Sequence, residues 1–134
     1  MSNRIIELHD SDVEAIEVEA DEKVCIKFSA AYLHESTAVP GVGRGKGFLQ
    51  KAELIAEGGK VSDRLPRLPG VISDGFLLLD GRKIDNIIPV PFEFSGNFGI
   101  QLIFDTGETV SITGTGAKLI LYGEPEYLEE CPVE

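Results

Sequence analysis

The chain has 134 residues, of which 43% are hydrophobic, 12 are basic and 23 are acidic, giving a formal net charge of −11. This length suits one domain whose core is large enough to fold without disulfides or metals, so we interpret residues 1–134 as a single domain. The acidic balance argues against nucleic acid and anionic membranes as partners, because both are bound through Lys and Arg.

The location predicted from the sequence is the cytoplasm. No apolar run approaches the roughly 20 residues of a membrane-spanning helix, and the first residues lack the long apolar stretch of a signal peptide. Cys25 and Cys131 are therefore expected to be free thiols in a reducing compartment.

The first third of the chain alternates apolar and polar side chains, which predicts strands. Residues 4–8 form a short apolar piece, and residues 13–20 and 23–28 form a hairpin. Residues 29–39 fit either one helical turn or an irregular extension.

The register of this first hairpin follows from its charges and apolar positions. Pairing Val18 with Ile26 keeps the apolar side chains on one face and places Glu17 opposite Lys27.

The middle of the chain is divided by glycine and proline. Residues 40–47 predict a loop, because alternate glycines remove strand and helix preference. Residues 48–57 predict a strand, and residues 60–69 a surface connection.

A second hairpin joins residues 71–79 and 83–90 through the strong turn dipeptide Asp80–Gly81. Pro89 and Pro91 then end this strand or place it at a sheet edge.

Residues 98–123 predict an antiparallel meander with turns at 105–108 and 114–116. The acidic residues from about 124 are interpreted as a loosely ordered tail. Together these segments predict an all-β fold, an antiparallel sandwich or small barrel of about eight or nine short strands joined mainly by hairpins, with at most one short helical turn.

The tripeptide Asp105–Gly107 resembles the catalytic Asp-Thr-Gly of aspartic proteases, in which two such carboxylates share a proton. Glu108 replaces the small residue that normally follows, and too little chain remains for the rest of that site. A hairpin turn explains the same residues. A three-residue loop over 106–108 keeps four apolar side chains on one face: Leu102, Phe104, Val110 and Ile112.

The glycine loop fails the phosphate-binding motif. Aligning on Gly45 and Lys46 puts Pro40 where the first glycine belongs and Gly47 where the hydroxyl belongs. A loop bearing Arg44 and Lys46 still favours an anion-binding concavity of free N–H groups.

The candidate ligand-binding residues are therefore His34, Glu35, Arg44 and Lys46. They predict a pocket for a small molecule or an anion, and hydrolysis is one activity that such a pocket could have. Neighbouring residues on a strand point to opposite faces, so His34 and Glu35 do not form a ready-made metal site. The sequence predicts no catalytic residue, no metal and no cofactor, and it favours a protein that is not an enzyme.

The charges are unevenly distributed. Residues 44–67 hold 6 basic and 3 acidic side chains, whereas residues 68–134 hold 3 and 11. A basic middle and acidic ends favour a non-catalytic binding or assembly module, which associates with itself or with another protein.

The segments 7–11 (Glu-Leu-His-Asp-Ser) and 31–34 (Ala-Tyr-Leu-His), which flank the first hairpin, resemble a group of small bacterial proteins of unknown function. This resemblance implies a small all-β protein and supplies no activity.

Overall fold

The computed structural model describes residues 3–36, 45–62 and 64–131, and these residues form nine strands. None of the described residues forms a helix long and apolar enough to cross a membrane. The prediction of an all-β fold is confirmed. In chain order the strands are β1 (Asn3–Val18), β2 (Val24–Ser36), β3 (Gly45–Glu57), β4 (Lys60–Ser62), β5 (Gly70–Leu79), β6 (Arg82–Asp85), β7 (Ile87–Val90), β8 (Glu93–Phe104) and β9 (Thr109–Cys131).

Six of these strands form a closed antiparallel ring. β1, β2, β3, β9, β8 and β5 are neighbours in that order. β5 then returns to β1, pairing Val71 with Asp12 and Gly70 with Val13. β4 pairs with β9, while β6 and β7 lie at the two ends of the sheet order. The predicted antiparallel sandwich or small barrel is confirmed as a sheet that closes partly into a ring, which removes most sheet edges.

The core fills this ring, because the apolar members of each alternating strand point inward. Each such side chain contributes roughly 1.5–3 kcal/mol when it is fully buried. The largest fully buried side chains come from all six ring strands and from β7: Ile6, Leu8, Ile26, Phe28, Leu33, Leu54, Ile72, Leu77, Ile88, Leu102, Phe104 and Ile112.

The first hairpin keeps the predicted faces but not the predicted register. Val18 pairs with Val24 rather than with Ile26, a shift of two residues. Because side chains alternate with period two, the shift leaves every apolar residue on its predicted face. Glu17 and Lys27 still form an ion pair, with 2.8 Å between Oε1 and Nζ. They are diagonal neighbours on the two strands rather than directly opposite residues.

The β8–β9 hairpin shows the same shift, with Leu102 paired to Val110 rather than to Ile112. Its loop is 105–107, not 106–108. The Phe104 N–H donates to the Glu108 carbonyl at 2.8 Å, and Gly107 has a φ of +89°. This is a three-residue loop that requires a left-handed last residue, so glycine fixes the register.

Three other segments differ from their sequence-based predictions. Residues 29–36 continue β2 as a strand, in place of the helical turn or irregular extension expected over 29–39, and residues 37–39 lie outside the described residues. Residues 83–90 divide into β6 and β7 at Asn86 (φ +62°). Residues 124–131, expected as a loose acidic tail, are the end of β9. That end is ordered by its pairing with β3.

Bulges divide the sheet into the barrel and a part that we call the extension. The β1–β2 register shifts between Glu7 and Ala15, and the β2–β3 register shifts between Phe28 and Ala31. Such bulges bend a strand and increase its twist. The extension consists of the strand ends beyond these bulges: residues 3–8, 31–36, 45–50, 87–90 and 123–131.

Gln50 holds the corresponding bulge of β9. Residues 123–125 lie opposite this single residue of β3, and its Nε2 donates to the carbonyls of Gly123 at 2.9 Å and Tyr122 at 3.5 Å. The side chain therefore satisfies backbone groups that the bulge leaves without a strand partner.

The two hairpin loops provide a matched test of backbone strain. The 20–22 loop has the same hydrogen bonds as the 105–107 loop, but Glu22 takes the left-handed position with a φ of +62°. A Cβ at Gly107 would meet no atom within 4 Å, so only the backbone is tested there.

We expect Gly107→Ala to lower the free energy of unfolding by roughly 1–2 kcal/mol, the cost of a left-handed alanine. Glu22→Gly should raise it by less, because the extra freedom of glycine in the unfolded chain offsets part of the relief. Urea denaturation measures both. If both substitutions changed the free energy of unfolding by the same amount in the same direction, the two loops would not share this left-handed constraint.

Candidate binding surface on the extension

The structure separates the predicted site residues between two faces of the extension. His34 is buried on β2, whereas its neighbour Glu35 is half-buried on the opposite face. Glu35 pairs with Lys46 of β3, and this is the pair that the fold brings together. Arg44 lies outside the described residues. Ligand binding by any of these residues stays a prediction.

Gly45 and Gly47 leave one face of β3 without side chains, and two rings of β2 lie over that face. A Cβ at Gly47 would be 2.5 Å from the hydroxyl of Tyr32. A Cβ at Gly45 would meet the backbone carbonyl of Glu35 first and would be 2.8 Å from Nε2 of His34. The Tyr32 hydroxyl thereby reaches across β3 to donate to Glu129 of β9 at 2.9 Å.

The sequence contained the signal for this arrangement. Glycines two residues apart on a strand share one face, as do Tyr32 and His34. Alternation of glycine predicted a loop over 40–47, but residues 45–47 begin β3. The alternation there marks a bare face of a strand, on which two rings of the next strand pack.

The other face of the extension carries a row of alternating charges. The register aligns Arg4 with Glu35, Glu35 with Lys46 and Lys46 with Glu130 across four strands. Opposite charges in neighbouring positions favour this register and disfavour a slip by one residue. Lys46 thus has a carboxylate-bearing residue on each side, which lowers its value as an anion site.

His34 is buried with neither ring nitrogen hydrogen-bonded among the described residues; only 4% of the residue is exposed. His34 acts electrostatically on Glu7, a half-buried residue of β1. Burial raises the pKa of Glu7, an effect that His34 and His9 oppose by attraction and that Asp10 reinforces. The described residues contain no group of three or more potential metal ligands.

The raised pKa makes the contribution of Glu7 depend on pH. The folded protein holds the proton of Glu7 more tightly than the unfolded chain does, so stability falls as pH rises from the ordinary value of 4.5 through the folded pKa. We expect Glu7→Gln to gain stability relative to the wild type as pH rises through this window, because the amide carries no buried charge.

Urea unfolding at several pH values on both sides of the window, with the exposed Glu93→Gln as control, measures this difference. A constant difference between Glu7→Gln and the wild type at all pH values would contradict the prediction.

The terminal half of β9 has an open edge. From residue 120 to residue 131 it pairs with β3 alone, among the described residues, whereas residues 109–118 pair with β8. The last contact on the β8 side is the hydrogen bond from the Leu119 N–H to the Phe92 carbonyl, at 3.0 Å. We call residues 120–131 of β9 the open edge.

The side chains of the open edge are acidic and aromatic, and three large apolar side chains are exposed there: Tyr122, Tyr127 and Leu128. Four carboxylates accompany them: Glu124, Glu126, Glu129 and Glu130. The Tyr127 ring meets Phe48 edge-on, with centroids 5.8 Å apart, and its hydroxyl donates to Glu130 at 3.2 Å. The edge is therefore held by β3 on one side and open to solvent on the other.

Two adjoining clefts lie beside the open edge and share Lys51 and Tyr122. The first cleft, of about 260 Å³, is lined by Ser29, Ala30, Leu49, Gln50, Lys51, Tyr122, Glu124 and Glu126. The second, of about 380 Å³, is lined by Glu14, Lys27, Lys51, Ala52, Glu53 and Tyr122. Lys51 approaches Glu14 in the second cleft, at 4.0 Å.

The basic residues of the middle segment that the structure describes are spread over several places on the surface. Lys46 lies in the extension and Lys51 beside the clefts. Arg67 lies 3.8 Å from Glu108 of the β8–β9 hairpin. The segment is folded as a strand and a connection, which spreads its charges along the barrel.

Asp105–Gly107 is the loop of the β8–β9 hairpin, as the turn interpretation predicted. The Thr106 hydroxyl donates to Glu108 at 3.1 Å, and a Glu108 carboxylate oxygen accepts the Arg67 N–H at 3.1 Å. These contacts stabilise a turn and leave no second carboxylate of the protease kind beside Asp105 among the described residues.

Cys25 is a buried free thiol. It pairs with Ile55 of β3, while Cys131 pairs with Gly45. These positions are ten residues apart on one strand, roughly 30 Å at about 3.3 Å per residue, which excludes a disulfide between them within one chain.

Burial, reinforced by a 3.5 Å hydrogen bond from Sγ to Glu19, raises the pKa of Cys25 from 9.0 to about 11. In a Cys131→Ser variant, we expect Cys25 to react with iodoacetamide about a hundredfold more slowly than an ordinary cysteine at neutral pH, because the thiolate is the nucleophile. Unfolding in urea should restore the ordinary rate. Equal rates in folded and unfolded protein would refute the prediction.

No family model, no curated protein and no solved structure matches the chain. The resemblance of residues 7–11 and 31–34 to a bacterial group therefore stays a prediction, and function must be argued from the surface itself.

Proposed function

We propose that the protein is a non-catalytic protein-binding module, which recruits a partner by adding an extended, basic segment as a strand to the open edge of β9. The observation that carries the proposal is the one-sided pairing of residues 120–131 with β3, among the described residues. A reducing, cytoplasmic location belongs to the same proposal and is supported by the free thiol of Cys25.

An open strand edge presents a row of backbone N–H and C=O groups to a new strand. An added peptide gains main-chain hydrogen bonds there, and its alternate side chains meet whatever flanks the edge. Here the flanking groups include exposed Tyr127 and Leu128, which supply apolar contact beside the polar backbone. This combination gives affinity through the backbone and selectivity through side chains.

The charge of the edge favours a basic partner. Four glutamates lie on it, and the register places one cation, Lys46, opposite Glu130. Two copies paired through this edge would oppose carboxylate to carboxylate, whereas Lys and Arg of a partner would neutralise them. Pro125 and the adjoining bulge further restrict indiscriminate pairing.

The chemistry of the described side chains supports a binding role rather than catalysis. The raised pKa of Cys25 keeps its thiol protonated at neutral pH. His34 lies on the face opposite to Glu35, so these two do not act on one substrate. The alternative of an anionic ligand around residues 34–47 has less support, because Lys46 lies between residues that bear carboxylates.

The test uses a labelled seven-residue peptide, acetyl-Thr-Lys-Val-Lys-Val-Lys-Thr-amide, titrated against the full chain and followed by fluorescence anisotropy. We expect saturable binding, with slower amide exchange in residues 120–131, because strand addition protects the edge. The same peptide N-methylated at its three central residues should not bind, since it has lost backbone donors but no charge.

Two further results would overturn the proposal. Equal binding of the N-methylated peptide would show that charge alone attracts it. Sedimentation velocity without peptide should give a monomer at low salt. A dimer whose formation blocks the peptide would assign the edge to a second copy instead.

A further inference from the structure

The register between β3 and β9 sorts the side chains of the open edge onto two faces. Paired residues of neighbouring antiparallel strands share a face, and successive residues of one strand alternate between the faces. Glu129 is paired with Gly47, and Glu126 is paired with Leu49. Gly47 and Leu49 are two residues apart, so both glutamates lie on one face, which we call the Gly47 face.

The opposite face, which we call the Phe48 face, has an aromatic side chain beside the edge. Phe48 is paired with Tyr127, and Lys46 is paired with Glu130. The contacts agree with this register, because the rings of Phe48 and Tyr127 meet with centroids 5.8 Å apart and the Tyr127 hydroxyl donates to Glu130 at 3.2 Å. An added strand therefore has different neighbours on its two sides.

The two faces also differ in charge. On the Phe48 face, Lys46 lies opposite Glu130. On the Gly47 face, two rows of residues cross β1, β2, β3 and β9 without a lysine or an arginine: Ile5, His34, Gly47 and Glu129, and Glu7, Tyr32, Leu49 and Glu126. Neither Glu126 nor Glu129 has an ion pair within 4.0 Å among the described residues. The negative charge that a partner would neutralise is thus on the Gly47 face.

Glu129 is held in one orientation on this face. The Tyr32 hydroxyl donates to its Oε1 at 2.9 Å, across the intervening β3. The missing side chain of Gly47 permits the contact, because a Cβ there would be 2.5 Å from the Tyr32 hydroxyl and 3.4 Å from Cγ of Glu129. The second oxygen, Oε2, is left to accept from another donor. A carboxylate that is already oriented loses less conformational freedom when it binds a cation.

We propose that the partner strand on the open edge has two different sides. Its basic side chains lie on the Gly47 face, where Tyr32 positions Glu129 to receive one of them, and its apolar side chains lie on the Phe48 face against Tyr127. A strand in which basic and apolar residues alternate presents this arrangement directly. This inference rests on the proposed function and adds the sequence pattern of the partner and a positioning residue.

The first experiment compares two labelled peptides of equal composition and charge on the wild-type chain. One is the alternating peptide used above, and the other is acetyl-Thr-Lys-Lys-Val-Val-Lys-Thr-amide, whose lysines do not share a face. Fluorescence anisotropy measures both affinities. We expect the alternating peptide to bind about fivefold or more tightly, because its three lysines meet one face of the edge while its valines meet the other.

The second experiment uses a matched pair of substitutions. Glu129→Gln and Glu130→Gln each remove one charge, from adjacent residues that both accept a tyrosine hydroxyl. We expect Glu129→Gln to weaken the alternating peptide about threefold, the effect of losing one cross-strand ion pair. Glu130→Gln should weaken it only about 1.5-fold, because Glu130 lies on the face of the valines. An equal or larger effect of Glu130→Gln would overturn the assignment of the faces.

A double-mutant cycle tests the role of Tyr32. Tyr32→Phe should weaken the alternating peptide about twofold in the wild-type chain and should have no further effect in Glu129→Gln, because a positioning residue acts through the residue that it holds. A tyrosine with a merely structural role would weaken binding equally in both backgrounds, and that result would overturn the positioning role.

Failure of this inference differs from failure of the proposed function. If the two peptides bind alike and N-methylation still abolishes binding, strand addition stands and the two-sided partner is overturned. If no peptide binds the wild-type chain, both are overturned. The peptide comparison uses the wild-type chain alone, so it decides the question even where a variant is unfolded.

Discussion

The antiparallel ladder between β3 and β9 is the contact on which the barrel and the extension both depend. β9 has 23 residues, and its first half lies between β8 and either β4 or β3 inside the ring. Its second half leaves the ring and is held by β3 alone among the described residues. One strand therefore supplies a core element and a solvated edge. Gln50 joins the two, because it bonds to β9 carbonyls where the regular ladder is interrupted.

Glycine has two separate functions along this ladder and beside it. At Gly107 the backbone needs a left-handed residue, so the absence of Cβ removes steric strain and sets a hairpin register. At Gly45 and Gly47 the backbone is an ordinary strand, and the absence of Cβ leaves space for the Glu35 carbonyl and the His34 and Tyr32 rings. Tyr32 uses that space to reach Glu129, and this hydrogen bond links β2 to β9 across the intervening β3.

The alternation of apolar and polar residues predicted which side chains of a strand share a face, but it did not predict the registers of the two hairpins. A shift by two residues leaves the faces unchanged, so the apolar pattern of Val18 and Ile26 does not distinguish the two pairings. The turn distinguishes them: the left-handed positions of Glu22 and Gly107 select the observed loops. Within the candidate site, the pairing of Glu35 with Lys46 follows from the register between β2 and β3. The separation of His34 from Glu35 follows from the alternation of side chains between the two faces of a strand. The bulges that form the clefts depend on long-range pairing, which no local pattern encodes.

If the open edge binds a partner as proposed, its properties favour selective over indiscriminate strand pairing. A long unprotected strand would pair with any exposed edge, including that of another copy. Here Pro125 removes one donor, a bulge interrupts the ladder, and like charges repel a second copy. Each of these features weakens random pairing, but a basic segment converts the repelling charges into attractive ones. In the proposed function, the carboxylates both keep the chain from self-pairing and select its partner.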